Sequence, residues 1–167
     1  MDLKLEPLDL RHAPGLFEAL DDELVGKFIG GPDVSTLAEL EERIQHLQKG
    51  PEKDSGQLWF NYAVLLDSAV IGRVEATAHD GIVEIAYLHN PSLWGQGLGT
   101  ASTELLLNEL RSRGEHDFWA TVVPENVASA RVVEHLGFRE IDADLAPDLL
   151  SFDEGDRVFN LKDGTLS

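Results

Sequence analysis

Three glycines, Gly95, Gly97 and Gly99, stand at alternate positions in the stretch NPSLWGQGLGTASTELLL (Asn90 to Leu107), where a turn gives way to an apolar helical pattern. The first amides of a helix have no intrahelical acceptor, and the helix dipole adds positive potential there. Glycine lets a ligand approach that backbone without side-chain obstruction. Together these features make an anion site suited to a phosphate or pyrophosphate, with residues 94–100 presenting successive N–H groups. Two familiar versions of such a site do not fit. A P-loop closes on Gly-Lys-Ser/Thr, which is absent. A dinucleotide fingerprint runs Gly-x-Gly-x-x-Gly after a first strand, whereas this stretch follows the fourth strand candidate. On these residues alone, a glycine turn holding no ligand stays open.

Composition narrows the partners. The chain carries 31 acidic and 13 basic residues, a formal net charge of −18. Phosphate contact needs a basic surface, so nucleic acid is not an expected partner, and a polyanionic ligand must be held by local dipoles and N–H donors. The same field attracts cationic amines, or serves solubility alone. There are no cysteines, which excludes disulfides, thiolate nucleophiles and cysteine metal sites. The six histidines show no His-x3-His spacing, and no metal is expected. No apolar run has the length of a membrane span, and Met1 to Leu10 lacks a basic segment followed by an apolar core. A cytoplasmic protein with no membrane partner is expected.

The elements that must position the glycine loop follow from periodicity. The 167 residues suit one domain over 1–167. LKLEPLDL alternates as a first strand, and RHAPGLFEALDDELVGKF reads as a short helix followed by irregular chain. A second helix begins at a Ser35 or Thr36 cap, carries the stripe Leu37, Leu40, Ile44 and Leu47, and stops at Gly50-Pro51. Three strands follow, Trp59 to Leu66, Val70 to Ala78 and Ile82 to Leu88, joined by the short polar turns DSA and HDG. The glycine-loop helix ends at Gly114, DFWATVV reads as a strand buried on both faces, and PENVASARVVEHLGF is a helix ending at Gly137. REIDAD and DRVFNL are the last strands. The order β-α-α-β-β-β-α-β-α-β-β describes an α+β sheet, antiparallel in its middle, with the glycine-loop helix joining two parallel neighbours.

LHNPSLWGQGLGTASTELLLNEL, followed later by NVASARVVEHLGF, resembles the GNAT N-acetyltransferases. The likeness is nearest to the branch of ribosomal-protein N-terminal acetyltransferases and their small-molecule-modifying relatives, and runs from about Leu3 to Leu161. It implies the GNAT fold, a central mixed, mostly antiparallel sheet of six to seven strands flanked by about four helices. It also implies acetyl-CoA as acetyl donor and a primary amine, on a peptide N-terminus or a small cationic molecule, as acceptor, with direct attack in a ternary complex. The residues implied to hold acetyl-CoA are Leu88, Gln96, Gly97, Leu98, Gly99, Thr100, Asn126 and Arg131, with pantetheine lying strand-like along the backbone near Tyr87 and Leu88. The chain departs from the family's Gln/Arg-x-x-Gly-x-Gly/Ala pattern at Trp94, and has Gln96 where a basic residue is usual. A CoA-binding module without catalysis is the alternative function.

Acetyl transfer needs a neutral amine, donors for an oxyanion, and help for the leaving thiolate. Ile82, Glu84, Ala86 and Leu88 share one face of their strand, so Glu84 interrupts an apolar row near the implied thioester. A partly desolvated carboxylate there has a raised pKa and suits a general base; an ordinary polar strand position is the plainer reading. Glu75 either binds a cationic acceptor or pairs with Arg73. Many relatives place a tyrosine where this chain has Val133; the resemblance to the branch with Asn-x-x-Ser implies Ser129 as the substitute proton donor, and a hydrogen bond from Ser129 to the cofactor or to the first helical turn is the plainer reading. A backbone N–H near Leu88 is the implied oxyanion donor. His89 reads as a turn residue. Asp21, Asp22, Glu23 and Asp33, with the acids of DADLAPDLLSFDEGD, form either a pocket for a charged amine or a solvated surface. Leu145, Leu149, Leu150 and Phe152 need burial somewhere, and a homodimer would supply it.

Overall fold

The computed structural model describes residues 2–27 and 36–163. The strands are β1 (Leu3–Pro7), β2 (Leu58–Leu66), β3 (Ala69–His79), β4 (Ile82–His89), β5 (Asp117–Val122), β6 (Arg139–Ile141) and β7 (Arg157–Lys162). The helices are α1 (Ala13–Leu20), α2 (Glu23–Lys27), α3 (Leu37–Lys49), α4 (Leu98–Ser112) and α5 (Val127–His135). One seven-stranded sheet has the order β1-β2-β3-β4-β5-β7-β6. Every neighbouring pair is antiparallel except β4–β5, which the α4 crossover makes parallel.

The expected order of elements is present, with local differences. The first helical stretch divides at Asp21-Asp22, because the Asp22 carboxylate accepts from the Leu24 amide at 2.8 Å and starts a new turn, α2. Thr36 caps α3, its hydroxyl accepting from the Glu39 amide at 3.1 Å; the alternative cap Ser35, and Asp33, lie outside the described residues. β6 is shorter than REIDAD, only Arg139–Ile141. Both predicted hairpins turn on consecutive residues with positive φ, Asp67 (49°) and Ser68 (72°), then Asp80 (50°) and Gly81 (80°). That sign matches the twist of the flanking strands.

Period-two alternation sorts each strand between two layers. On one face, Leu106, Leu107 and Leu110 of α4 and Ala130 and Val133 of α5 pack on Val83, Ile85, Phe118 and Phe159. On the other, Leu16 of α1 and Leu40 and Ile44 of α3 cover Ala63 and Leu65. Farther along that second face, Ile82, Trp119 and Val158 are covered only by irregular chain carrying Ala146 and Leu149. Each fully buried leucine contributes about 2 kcal/mol.

Gly72 sets the end of β4. A Cβ built there would collide with the carbonyl oxygen of Leu88 and stand 2.9 Å from the Cα of His89. Both atoms are backbone and cannot swing aside. Gly72→Ala is therefore expected to cost about 1–3 kcal/mol, measured as a lower urea midpoint; an unchanged midpoint would show that β4 can shift without loss.

Candidate active site

β4 and β5 are in register only at Val83–Phe118 and Glu84–Trp119. Beyond those pairs the strands part, and a cavity of about 720 Å³ fills the gap. It is lined by β4 from Ile85 to His89, by β5 from Ala120 to Val122, by the glycine loop and by α5. On the far face of the sheet it reaches Leu24, Val25, Arg43, Arg73 and Glu75.

The start of α4 opens onto this cavity. Gly97 is its N-cap in left-handed conformation (φ 78°), and no side chain caps the first turn. The first helical bond runs from the Ala101 amide to the Gly97 carbonyl at 3.0 Å. Helix geometry leaves the preceding amides without helical acceptors. Gly97, Leu98, Gly99 and Thr100 all line the cavity, as do Leu88, Asn126 and Arg131. Gln96 does not: it is exposed and outside the lining. Asn126 caps α5, its side-chain oxygen accepting from the Ser129 amide at 3.1 Å.

Side-chain hydrogen bonds from two residues tie β4 to the helices across the gap, one part-buried and one buried. The Tyr87 hydroxyl donates to the Ser129 carbonyl oxygen at 2.8 Å and lies 2.8 Å from the Ser129 hydroxyl. Burial pushes the Tyr87 phenol up to about 12, against the Ser129 hydrogen bond, so it stays protonated. His89 Nε2 meets the hydroxyl of buried Ser102 on α4 at 2.6 Å. Burial lowers the imidazole to about 4, so it is neutral at physiological pH. His89 is thus a buried brace, not the turn residue expected. Tyr87 and His89 were both legible only as members of the β4 face that carries Val83 and Ile85; two polar rings in that apolar row were the available signal.

The two carboxylates part company. Glu75 lines the cavity and makes the expected pair with Arg73 at 2.6 Å. Glu84 is not brought to the cavity. It is 6% exposed and accepts from His79 Nε2, the Leu150 and Ser151 amides and the Ser151 hydroxyl. The expected raised pKa is also reversed. Burial pushes the carboxyl up, but the Ser151 hydroxyl, the two amides and His79 together hold it below the usual carboxylate range. A carboxylate so satisfied is a poor proton acceptor. Of the acids given as either an acceptor pocket or a solvated surface, none of the described ones lines the cavity; Glu75 is the one described acid there, beside Arg43, Arg73 and Arg131. Leu149 is half-buried, while Leu145, Leu150 and Phe152 are exposed. Among the described residues no helix is long and apolar enough to cross a membrane.

A family model described as an acetyltransferase (GNAT) domain matches residues 2–139. No curated protein matches the chain. Among solved structures, RimJ of Mycobacterium smegmatis in complex with a CoA disulfide is 20% identical, with 96% of this chain and 81% of that one covered and a TM-score of 0.78. An acetyltransferase of Salmonella typhimurium, described as modifying the N-terminal serine of ribosomal protein L7/L12, is 18% identical over 97% of this chain and 95% of that one, TM-score 0.76. An aminoglycoside acetyltransferase in complex with coenzyme A is 20% identical over 96% and 94%, TM-score 0.71.

The neutral His89 makes stability depend on pH. The unfolded chain takes up its proton near the ordinary value of 6.5, the folded chain only near 4. Between those values the unfolded state binds more protons, so stability falls as pH falls, by about 3 kcal/mol in total. Urea unfolding from pH 7 to 4 should show this loss, and His89→Leu should remove most of it. An equal slope in the variant would place the titration elsewhere.

Proposed function

We propose, from the premise that the chain belongs to the GNAT acetyltransferase family, that it is an N-acetyltransferase moving the acetyl group of acetyl-CoA to a primary amine in a ternary complex. The observation carrying this reading is the uncapped start of α4, opening on a cavity where β4 has lost its parallel neighbour. The residues fit the donor. The amides of Leu98, Gly99 and Thr100 offer N–H groups suited to a pyrophosphate, and Arg131 adds a cation on the opposite wall. The β5 side of residues 85–88 offers main-chain groups without a strand partner, suited to an amide-bearing pantetheine arm near Leu88. The likeness in fold to CoA-bound structures supports the same assignment.

Acetyl-CoA supplies an activated thioester and a thiolate leaving group. The chain's own residues position and polarise. Glu75 faces the cavity from the acceptor side and would hold the incoming amine, sharing its charge with Arg73. A main-chain N–H near Leu88 would donate to the carbonyl oxygen under attack. Ser129 would hydrogen-bond the leaving sulfur. The Tyr87 proton has the Ser129 carbonyl as acceptor, so the Ser129 hydroxyl is able to turn its own proton toward a ligand. Proximity then supplies much of the rate. Peptide N-termini and small cationic amines both suit this arrangement, and the cytoplasm, where acetyl-CoA is available, is the compartment it fits. A homodimer covering Leu145, Leu150 and Phe152 belongs to the same reading, and predicts a sedimenting mass above that of one chain.

Free-thiol release from acetyl-CoA across a panel of amines and peptides tests the reaction. Ser129→Ala should lower kcat about 10- to 100-fold with unchanged acetyl-CoA affinity. Gly97→Val, strained at positive φ, should weaken acetyl-CoA about tenfold or more in calorimetry. Acetyl-CoA bound with no thiol released for any acceptor would make the chain a binding module instead.

A further inference from the structure

Residues 142–156 form a long irregular connection between β6 and β7, broken only by a 3-10 turn at Ala143–Leu145. No strand ladder holds its middle. Its main tie is a single carboxylate, 66 residues away in sequence. Glu84 Oε2 accepts from the Leu150 amide at 2.7 Å and from His79 Nε2; Oε1 accepts from the Ser151 amide at 2.9 Å and the Ser151 hydroxyl at 2.6 Å. Ser151 in turn takes the Thr121 hydroxyl, 3.2 Å from its carbonyl oxygen and 2.9 Å from its own hydroxyl. Thr121 lines the cavity, as does the exposed Ala86 in the middle of β4. Both belong to the face that carries Glu75, away from the Tyr87–Ser129 pair.

We propose that Glu84 is a positioning residue: by anchoring Leu150 and Ser151 it fixes Thr121, a residue of the cavity lining on the Glu75 side, so that acceptor binding rather than the transfer step depends on it. This rests on the acetyltransferase reading for its substrate and on geometry alone for its anchor. Both oxygens of Glu84 face two donors each. A glutamine in its place would turn an –NH2 group toward a main-chain amide in either orientation, so Glu84→Gln breaks the anchor despite its similar shape. Ser151→Ala loosens the same contact without touching Glu84.

The test uses the whole chain and two readouts. Hydrogen exchange follows the Leu150 and Ser151 amides. Glu84→Gln should speed their exchange about tenfold or more while amides of β3 and α4 keep their protection. Steady-state kinetics use whichever amine releases thiol. The acceptor KM should rise about tenfold for Glu84→Gln and less for Ser151→Ala, with kcat, acetyl-CoA KM and the acidic limb of the pH profile held. Unchanged exchange in a folded variant would overturn the anchor. A collapse of kcat with loss of the acidic limb would overturn it in favour of a base. If no variant, nor the native chain, releases thiol from any amine, the acetyltransferase reading fails, while the exchange measurement still decides the anchor.

Discussion

The site depends on one backbone constraint, the early parting of β4 and β5. Two registered pairs hold them, and every later residue of β4 is paired on the β3 side only. Buried main-chain groups need partners, and an open strand edge inside a protein is costly unless something fills it. Here closure is blocked from both sides. Gly72 lets β3 hold the end of β4 at a distance no other residue would permit. The Tyr87 and His89 side chains reach across to α5 and α4, each through a hydrogen bond to a serine. The gap is thus an opening braced to two helices, both of which line it.

Charge follows the same division between local and global. The chain as a whole is strongly acidic, yet the cavity wall carries Arg43, Arg73 and Arg131 against Glu75. Screening at physiological salt reduces distant surface charges beyond about 8 Å, so the wall residues and the α4 dipole govern what binds. A phosphate-bearing ligand can enter a chain whose net charge opposes it. The described acids at 21–23 and 142–154, readable as a pocket or as a solvated surface, are exposed and outside the cavity lining. Count and sign were readable from composition; their placement depended on which way each loop turned.

The elements themselves were legible because their causes are local. Leu40 and Ile44 recur at helical spacing, β4 alternates, and Gly114 and Gly137 end helices in the conformation that glycine tolerates. Gly97, Gly99, Asn126 and Ser129 line the cavity because the helices that carry them start where the pattern set them. The surroundings of Glu84, and so the direction of its pKa, were not legible because its partners come from Leu150 and Ser151, in a segment with no periodicity to locate it. The Arg111–Asp163 pair, which closes α4 onto the end of β7 at 2.8 Å, was equally invisible. Long-range pairs of single polar residues leave no pattern in one sequence.

β4 shows why a single polar residue in an apolar row is ambiguous. Its alternation divides the strand between two compartments. Residues 83, 85, 87 and 89 face the helices that flank the glycine loop, and residues 82, 84, 86 and 88 face the side where Glu75 lies. A carboxylate at position 84 is therefore on the Glu75 side by parity alone, the side proposed to receive the acceptor. Parity fixes the face but not the distance along it. Glu84 sits at the last rung that β4 shares with β5, where the sheet is still closed, while the cavity begins one residue later at Ile85. The closed rung is what lets donors from Leu150 and Ser151 surround the carboxylate. Two residues farther on, at Ala86, the same face is open to solvent and lines the cavity, so a carboxylate there would face it.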